Sequence, residues 1–269
     1  MKGKPVSNRV VIDVDNVDKV FDASGKNSVA ALQGIDLTID EGEFVSLLGP
    51  SGCGKSTLLR VMADLTASTS GRIEVNEKSA TQARQDRDYG MVFQQPGLFE
   101  WRSVLRNVEL PLQVAGVAKE QRRQRAQKML ELVHLSDFER HFPWQLSGGM
   151  QQRVSIARAL TSAPKILLMD EPLGALDEMN REYLQSELLR IWDSTKTTVV
   201  FVTHSISEAV FLSSRVVIMS PRPGRVAGVV EVDLPYPRTA RTRTSPEFYD
   251  KVTEVRTALH AVLAETETV

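Results

Sequence analysis

Apolar positions change their spacing several times along the 269 residues, and each change predicts an element. From residue 10 to 48 they come in short β-rich stretches, "VVIDVDNV", "GIDLTI" and "EFVSLL", parted by turn signals at Ser24-Gly25 and Glu41-Gly42. That pattern predicts an antiparallel sheet leading into a further strand. "STLLRVMADL" (Ser56 to Leu65) predicts an amphipathic helix, and "GRIEVNEK" and "YGMVFQQ" predict more strands. From about Val104 to Ala163 the apolar residues fall at spacings of three and four, in "VLRNVELPLQVAG", "KEQRRQRAQKMLELVHL" and "MQQRVSIARALTS", which predicts a helical subdomain. Two unbroken apolar runs follow, "KILLMD" (Lys165 to Asp170) and "TTVVFVTH" (Thr197 to His204), with the helical "NREYLQSELLRIWDS" between them. Strands apolar on both faces and joined by helices predict a covered parallel sheet, so the expected class is α/β. "VVIMS" and "GVVEVDL" predict late strands, and "PEFYDKVTEVRTALHAVLAE" a final amphipathic helix.

Composition narrows the setting. With 42% hydrophobic and 25% charged residues the chain can bury a sizeable core, and a net charge of -1 argues against a nucleic-acid binder that works by charge. No apolar run reaches the ~18 residues of a membrane span. "MKGKPVSNRV" is too polar to begin a signal peptide, so the chain is expected in the cytoplasm unless a partner brings it to a membrane. Cys53 has no second cysteine to pair with, which agrees with a reducing compartment. The basic stretch "YPRTARTRTS" (Tyr236 to Ser245) reads as a solvated linker in preference to a lipid contact.

The chemistry concentrates in "LGPSGCGKSTLLR" (Leu48 to Arg60), where Gly49, Gly54, Lys55 and Ser56 fit G-x-x-x-x-G-K-[ST] between a strand and a helix. Glycines let the backbone N–H groups of Pro50's followers Ser51, Gly52, Cys53 and Gly54 curl toward one cavity, and the helix start adds a positive dipole end. Such a loop binds a polyphosphate: Lys55 reaches the β- and γ-phosphates, Ser56 ligates Mg²⁺ and Thr57 contacts an inner phosphate. The Cys53 thiol, lying within this loop, is expected to react with a maleimide in competition with nucleotide. Asp170 ends an apolar strand at the carboxyl edge of the sheet, where it can hold Mg²⁺ through water, and Glu171 is placed to orient or deprotonate an attacking water. His204, ending the next buried strand, points at the same γ-phosphate or serves the fold alone.

"LSGGMQQRVSIARAL" (Leu146 to Leu160), together with "GPSGCGKST", "MDEPLGALD" and "FVTHS" in that order, resembles the ATPase subunit of ATP-binding cassette (ABC) transporters over roughly residues 10 to 230. The resemblance implies a P-loop NTPase (RecA-like) parallel sheet with an antiparallel β-subdomain and an inserted α-helical subdomain. It places the ATPase domain at 10 to 235, with the helical subdomain at about 97 to 163, and leaves 236 to 269 as linker and C-terminal helical extension. It further implies that Ser147, Gly148 and Gly149 cap the γ-phosphate of the nucleotide bound by another subunit, that Gln94 touches Mg²⁺ and senses a membrane partner, with Gln95 beside it, and that Asp177 lies in a loop crossing the dimer seam. Phe21 matches the aromatic that stacks on adenine, and His204 the γ-phosphate histidine. Three residues depart from the family pattern: Met150 for a common glutamine, Asp64 for glycine and Glu100 for proline, the last in the groove expected to receive the membrane subunit.

The implied function is an ATP-hydrolysing subunit that uses ATP and Mg²⁺, pairs as a homodimer or with a paralogous cassette, and drives an integral membrane permease fed by a solute-binding protein, peripheral to the cytoplasmic face of the membrane. "EWRSVLRNV" and "EAVFLSSRVVIMSPRPGRV" resemble the importer branch that handles nitrate, sulfonate, taurine and thiamine-precursor-like solutes. A soluble cassette ATPase acting on ribosomes or DNA, and a nucleotide switch without turnover, are the alternatives. One cassette and a near-neutral charge count against the first, and Glu171 with His204 against the second.

Overall fold

A computed structural model describes residues 9–22, 28–174 and 176–267. The turn signal at Ser24-Gly25 and the Ala175 of "GALD" lie outside the described residues. In chain order the strands and helices are β1 (Val10–Phe21), β2 (Val29–Asp40), β3 (Phe44–Leu48), α1 (Lys55–Met62), β4 (Ser70–Val75), β5 (Lys78–Ser79), α2 (Ala80–Asp86) and β6 (Tyr89–Val92). Then come α3 (Val104–Val114), α4 (Lys119–Leu132), α5 (Gly148–Leu160), β7 (Ile166–Asp170), α6 (Glu178–Thr195) and β8 (Thr198–Val202). The chain ends with α7 (Ile206–Leu212), β9 (Arg215–Met219), β10 (Val226–Glu231), α8 (Ala240–Arg243) and α9 (Pro246–Glu267). The described residues form two compact units, divided after Asp88 and after Lys196.

In the first unit β1 pairs antiparallel with β2 and β4, giving the order β2-β1-β4-β5. β3 belongs to a different sheet, parallel to both β8 and β9, with β10 antiparallel at the edge of β9. Every residue of β3 and β8 is buried, as largely apolar strands covered on both faces require. Phe44 and Phe201 meet across this pair with ring centroids 5.9 Å apart. In the second unit β6 lies parallel to the fully buried β7, and α3, α4 and α5 pack on one another, with Val108, Leu112, Leu130, Val154 and Ile156 inside.

Three elements depart from the sequence expectations. The first helix stops at Met62, and Asp64 adopts a left-handed φ of 49°. The Leu65 and Asp64 N–H groups bond the Arg60 and Val61 carbonyls, the pattern that usually closes on glycine. Aspartate is among the few other residues that enter this region, and Arg84 Nε holds its carboxylate at 2.9 Å, which accounts for Asp64 where the family has glycine. Second, α2 is a short polar helix that no apolar spacing announces; it is started by the Ser79 hydroxyl accepting the Gln82 N–H. Third, "YPRTARTRTS" is not a solvated linker throughout. Arg238 is 4% exposed, and its guanidinium donates to the carbonyls of Val210, Phe211, Ser213, Val232 and Leu234. An arginine can be buried when its fork of donors meets carbonyls that would otherwise go unpaired, and here the end of α7 supplies them.

Candidate functional site

β3 delivers the chain into the loop Gly49–Lys55, and the loop is shaped by what its glycines exclude. A Cβ on Gly49 would stand 2.8 Å from the Met219 carbonyl oxygen, and one on Gly54 2.8 Å from both the Ala31 carbonyl oxygen and Leu32 Cδ2. Gly54 also has φ 104°, so no other residue would start α1 there without strain. Lys55 is buried, and its Nζ donates to the Gly49 and Pro50 carbonyls at 2.8 and 3.0 Å, so the ammonium is held against the loop. Pro50, Ser56 and Thr57 are half-buried, while Ser51 and Gly52 are exposed. The Cys53 thiol does not face the cavity: it is 1% exposed, and a Cβ on Gly49 would lie 3.0 Å from its sulfur. Maleimide competition with nucleotide is therefore not expected, because the loop turns the side chain of Cys53 into the core.

One residue behind this loop carries no mark in the sequence pattern. Gly224 donates its N–H to the Ala31 carbonyl, accepts the Gln33 N–H, and runs so close that a Cβ on it would stand 2.0 Å from the Cys53 carbonyl oxygen. "PRPG" reads as a turn, and nothing in its local pattern says that the turn backs a loop some 170 residues earlier. Also in this unit, Phe21 ends β1 half-exposed with Lys19 Nζ 4.9 Å from its ring centroid, and His204 is exposed after β8. Thr203 donates its hydroxyl to the Glu208 carboxylate and accepts the Ser205 N–H at 3.0 Å, so His204 sits in a strapped turn.

In the second unit Asp170 closes β7 and is 7% exposed. Glu171 follows it with φ 44°, a left-handed backbone that costs a non-glycine residue about 1 kcal/mol and gathers at functional sites. The Glu171 carbonyl accepts the Gly174 N–H at 3.1 Å. A Cβ on Gly174 would lie 3.4 Å from Gln94 Nε2 and 3.8 Å from Glu171 Oε2, so both side chains border the same glycine. The segment carrying Gln94 is tied to α5: Gln152 Nε2 donates to the Phe93 carbonyl, and Arg158 donates to those of Pro96 and Gly97. Burial lowers the Arg158 pKa, yet a guanidinium keeps its charge.

α5 starts at Ser147, whose hydroxyl accepts the Met150 N–H at 3.3 Å. A Cβ on Gly148 would meet nothing within 4 Å, and one on Gly149 nothing closer than 3.9 Å. The chain does not need these glycines for its own packing. Asp177 caps α6, accepting the Asn180 N–H at 3.0 Å; that bond, then the Asn180 amide, holds its carboxyl below the usual range.

The sequence matches the ABC transporter family model over residues 32–174. It is 46% identical to the taurine import ATP-binding protein TauB of Rhizobium johnstonii over 257 residues, covering 93% of this chain and 97% of the relative. It is 41% identical to the aliphatic sulfonates import ATP-binding protein SsuB of Bacillus cereus over 243 residues, covering 90% and 94%. Among solved structures, the dimeric post-hydrolysis state of the ATP-binding cassette MJ0796 bound to ADP and Pi aligns with TM-score 0.73 at 37% identity, covering 83% of this chain and 99% of that one.

Proposed function

This chain belongs to the ABC transporter family, and from that premise we propose that it is the ATP-hydrolysing subunit of an importer, pairing around two ATP molecules to drive a separate membrane permease. The observation that carries hydrolysis is Glu171, a carboxylate held in a strained backbone beside Gln94. Lys55 and the amides of the Gly49–Lys55 loop take the β- and γ-phosphates, Thr57 contacts an inner phosphate, and Phe21 stacks on the base. Glu171 orients the attacking water and accepts its proton, which is most of what phosphoryl transfer asks of a protein. His204 contacts the γ-phosphate as charge develops there.

The hydroxyl of Ser56, the carboxamide oxygen of Gln94 and the Asp170 carboxylate are hard oxygen donors, the set that suits Mg²⁺ beside phosphates; bound there, the ion neutralises phosphate charge. Ser147, Gly148 and Gly149 serve the nucleotide of the partner chain, and Asp177 lies at the same seam. The chain works at the cytoplasmic face through a permease, as the import ATP-binding relatives suggest; among the described residues no helix is long and apolar enough to cross a membrane. The solute is a small anion or nutrient of the sulfonate kind, fed by a solute-binding protein, as the names of the relatives suggest. We also assign 10 to 235 to the ATPase domain and 236 to 269 to its extension.

Glu171→Gln tests the central assignment. The amide keeps the shape and loses the charge that polarises water, so turnover falls by about 10³ while Mg-ATP binding persists, and size-exclusion with Mg-ATP shows a dimer. A monomeric variant with parental turnover would remove Glu171 from the chemistry.

A further inference from the structure

The C-terminal stretch touches α7, and α7 starts two residues after His204. We propose that Arg238 is a positioning residue for His204: it locks the carboxyl end of the short helix whose amino end carries the histidine. The proposal rests on the reading of His204 as a γ-phosphate contact. Every helix leaves its last carbonyls without partners of its own, and those of Val210, Phe211 and Leu212 in α7 are taken up by the chain that follows β10. Arg238 Nη1 donates to Val210, Phe211 and Ser213 at 2.8, 3.1 and 2.8 Å, and the Tyr236 hydroxyl donates to Leu212 at 2.9 Å. The remaining guanidinium donors reach the Val232 and Leu234 carbonyls, so the same side chain ties α7 to the strand exit beside it.

The Tyr236 ring lies 4.0 Å from the guanidinium carbon and fixes its plane, and a cation there also complements the negative end of the helix. From the other side Arg243 stands 3.4 Å over the Phe211 ring, and Phe248 of α9 meets Phe211 edge-on at 6.5 Å. At the amino end the Thr203 hydroxyl and Glu208 carboxylate join, and the Ser205 hydroxyl accepts the Glu208 N–H at 3.4 Å. α7 thus has seven residues, spans about 10 Å and is strapped at both ends. A rigid helix of that length cannot turn or slide at one end without moving the other. Catalytic placement tolerates little of this, since a misplacement of about 1 Å can cost 10²-fold in rate.

The test uses the full chain, with Arg238→Lys, Tyr236→Phe and His204→Ala made singly and Arg238→Lys also combined with His204→Ala. Lysine keeps the charge but cannot span the fan of carbonyls; Tyr236→Phe removes one hydroxyl and keeps the fold if the lysine variant does not. Mg-ATP turnover, binding of a fluorescent ATP analogue and thermal midpoint are measured. We expect kcat to fall about tenfold in Arg238→Lys and about threefold in Tyr236→Phe, with the Kd for the analogue within twofold of the parent. In the His204→Ala background, Arg238→Lys is expected to change the residual rate less than twofold. The proposal is overturned if both single variants keep kcat within twofold, or if the tenfold loss persists in full without His204. Parental turnover in His204→Ala alone would instead sink the reading of His204, and the proposal with it.

Discussion

A Cβ at Gly224 would collide with the Cys53 carbonyl, whereas at Gly148 a side chain has open space, so the two glycines exclude a side chain for different reasons. Gly224→Ala has to push the phosphate loop out of its bend. It is expected to weaken Mg-ATP binding by tenfold or more and to lower the thermal midpoint, both read from one titration and one melt. Gly148→Asp places an acid at the first turn of α5, where the helix dipole favours it, so the midpoint stays level or rises. The same charge repels a phosphate, so Gly148→Asp in the Glu171→Gln background is expected to abolish the ATP-dependent dimer. A stable variant that still dimerises would take the signature glycines out of the nucleotide site. Glycine spacing made the bend of the Gly49–Lys55 loop legible, because Gly49 and Gly54, two of the positions the pattern fixes, have no room for a Cβ. Gly224 was not legible, because its reason lies in a contact with a loop distant in the chain.

Elements with one dominant periodicity were readable: β7 and β8 as unbroken apolar runs, and α3, α4 and α5 by their three-and-four spacing. What misled was charge. α2 is polar and owes its start to a single serine cap, and the basic run after Tyr236 hides an arginine whose partners are carbonyls, which leave no mark on a sequence. This clamp has a consequence in alkali. Burial pushes the Tyr236 phenol from 10.0 up to about 12, so between those values the unfolded chain has released a proton that the folded chain still holds. Stability then falls as pH rises from about 10 and the contribution is gone above about 12. Denaturant midpoints measured from pH 9 to 12 are expected to drop, and Tyr236→Phe is expected to flatten that drop while starting lower. If the variant loses stability over this window as steeply as the parent, the phenol is not the group responsible.

At the scale of the whole molecule the proposal of shared sites makes the sharpest demand. Each ATP is taken to lie between Lys55 of one chain and Ser147 of the other, as the resemblance to ABC ATPase subunits implies. A Lys55→Ala homodimer and a Gly148→Asp homodimer then each contain two damaged sites. Mixing them produces a heterodimer in which one site carries both lesions. Its other site takes an intact lysine from the Gly148→Asp chain and an intact signature from the Lys55→Ala chain. Turnover can require both sites at once, so the quantity to follow is Mg-ATP retained per dimer, with Glu171→Gln in every chain to stop hydrolysis. Shared sites predict that the mixture holds more ATP than the average of its parents, approaching one per heterodimer. Were Lys55 and Ser147 to serve one nucleotide within a single chain, no combination of these chains would restore a complete site, and the mixture would hold only the parental average.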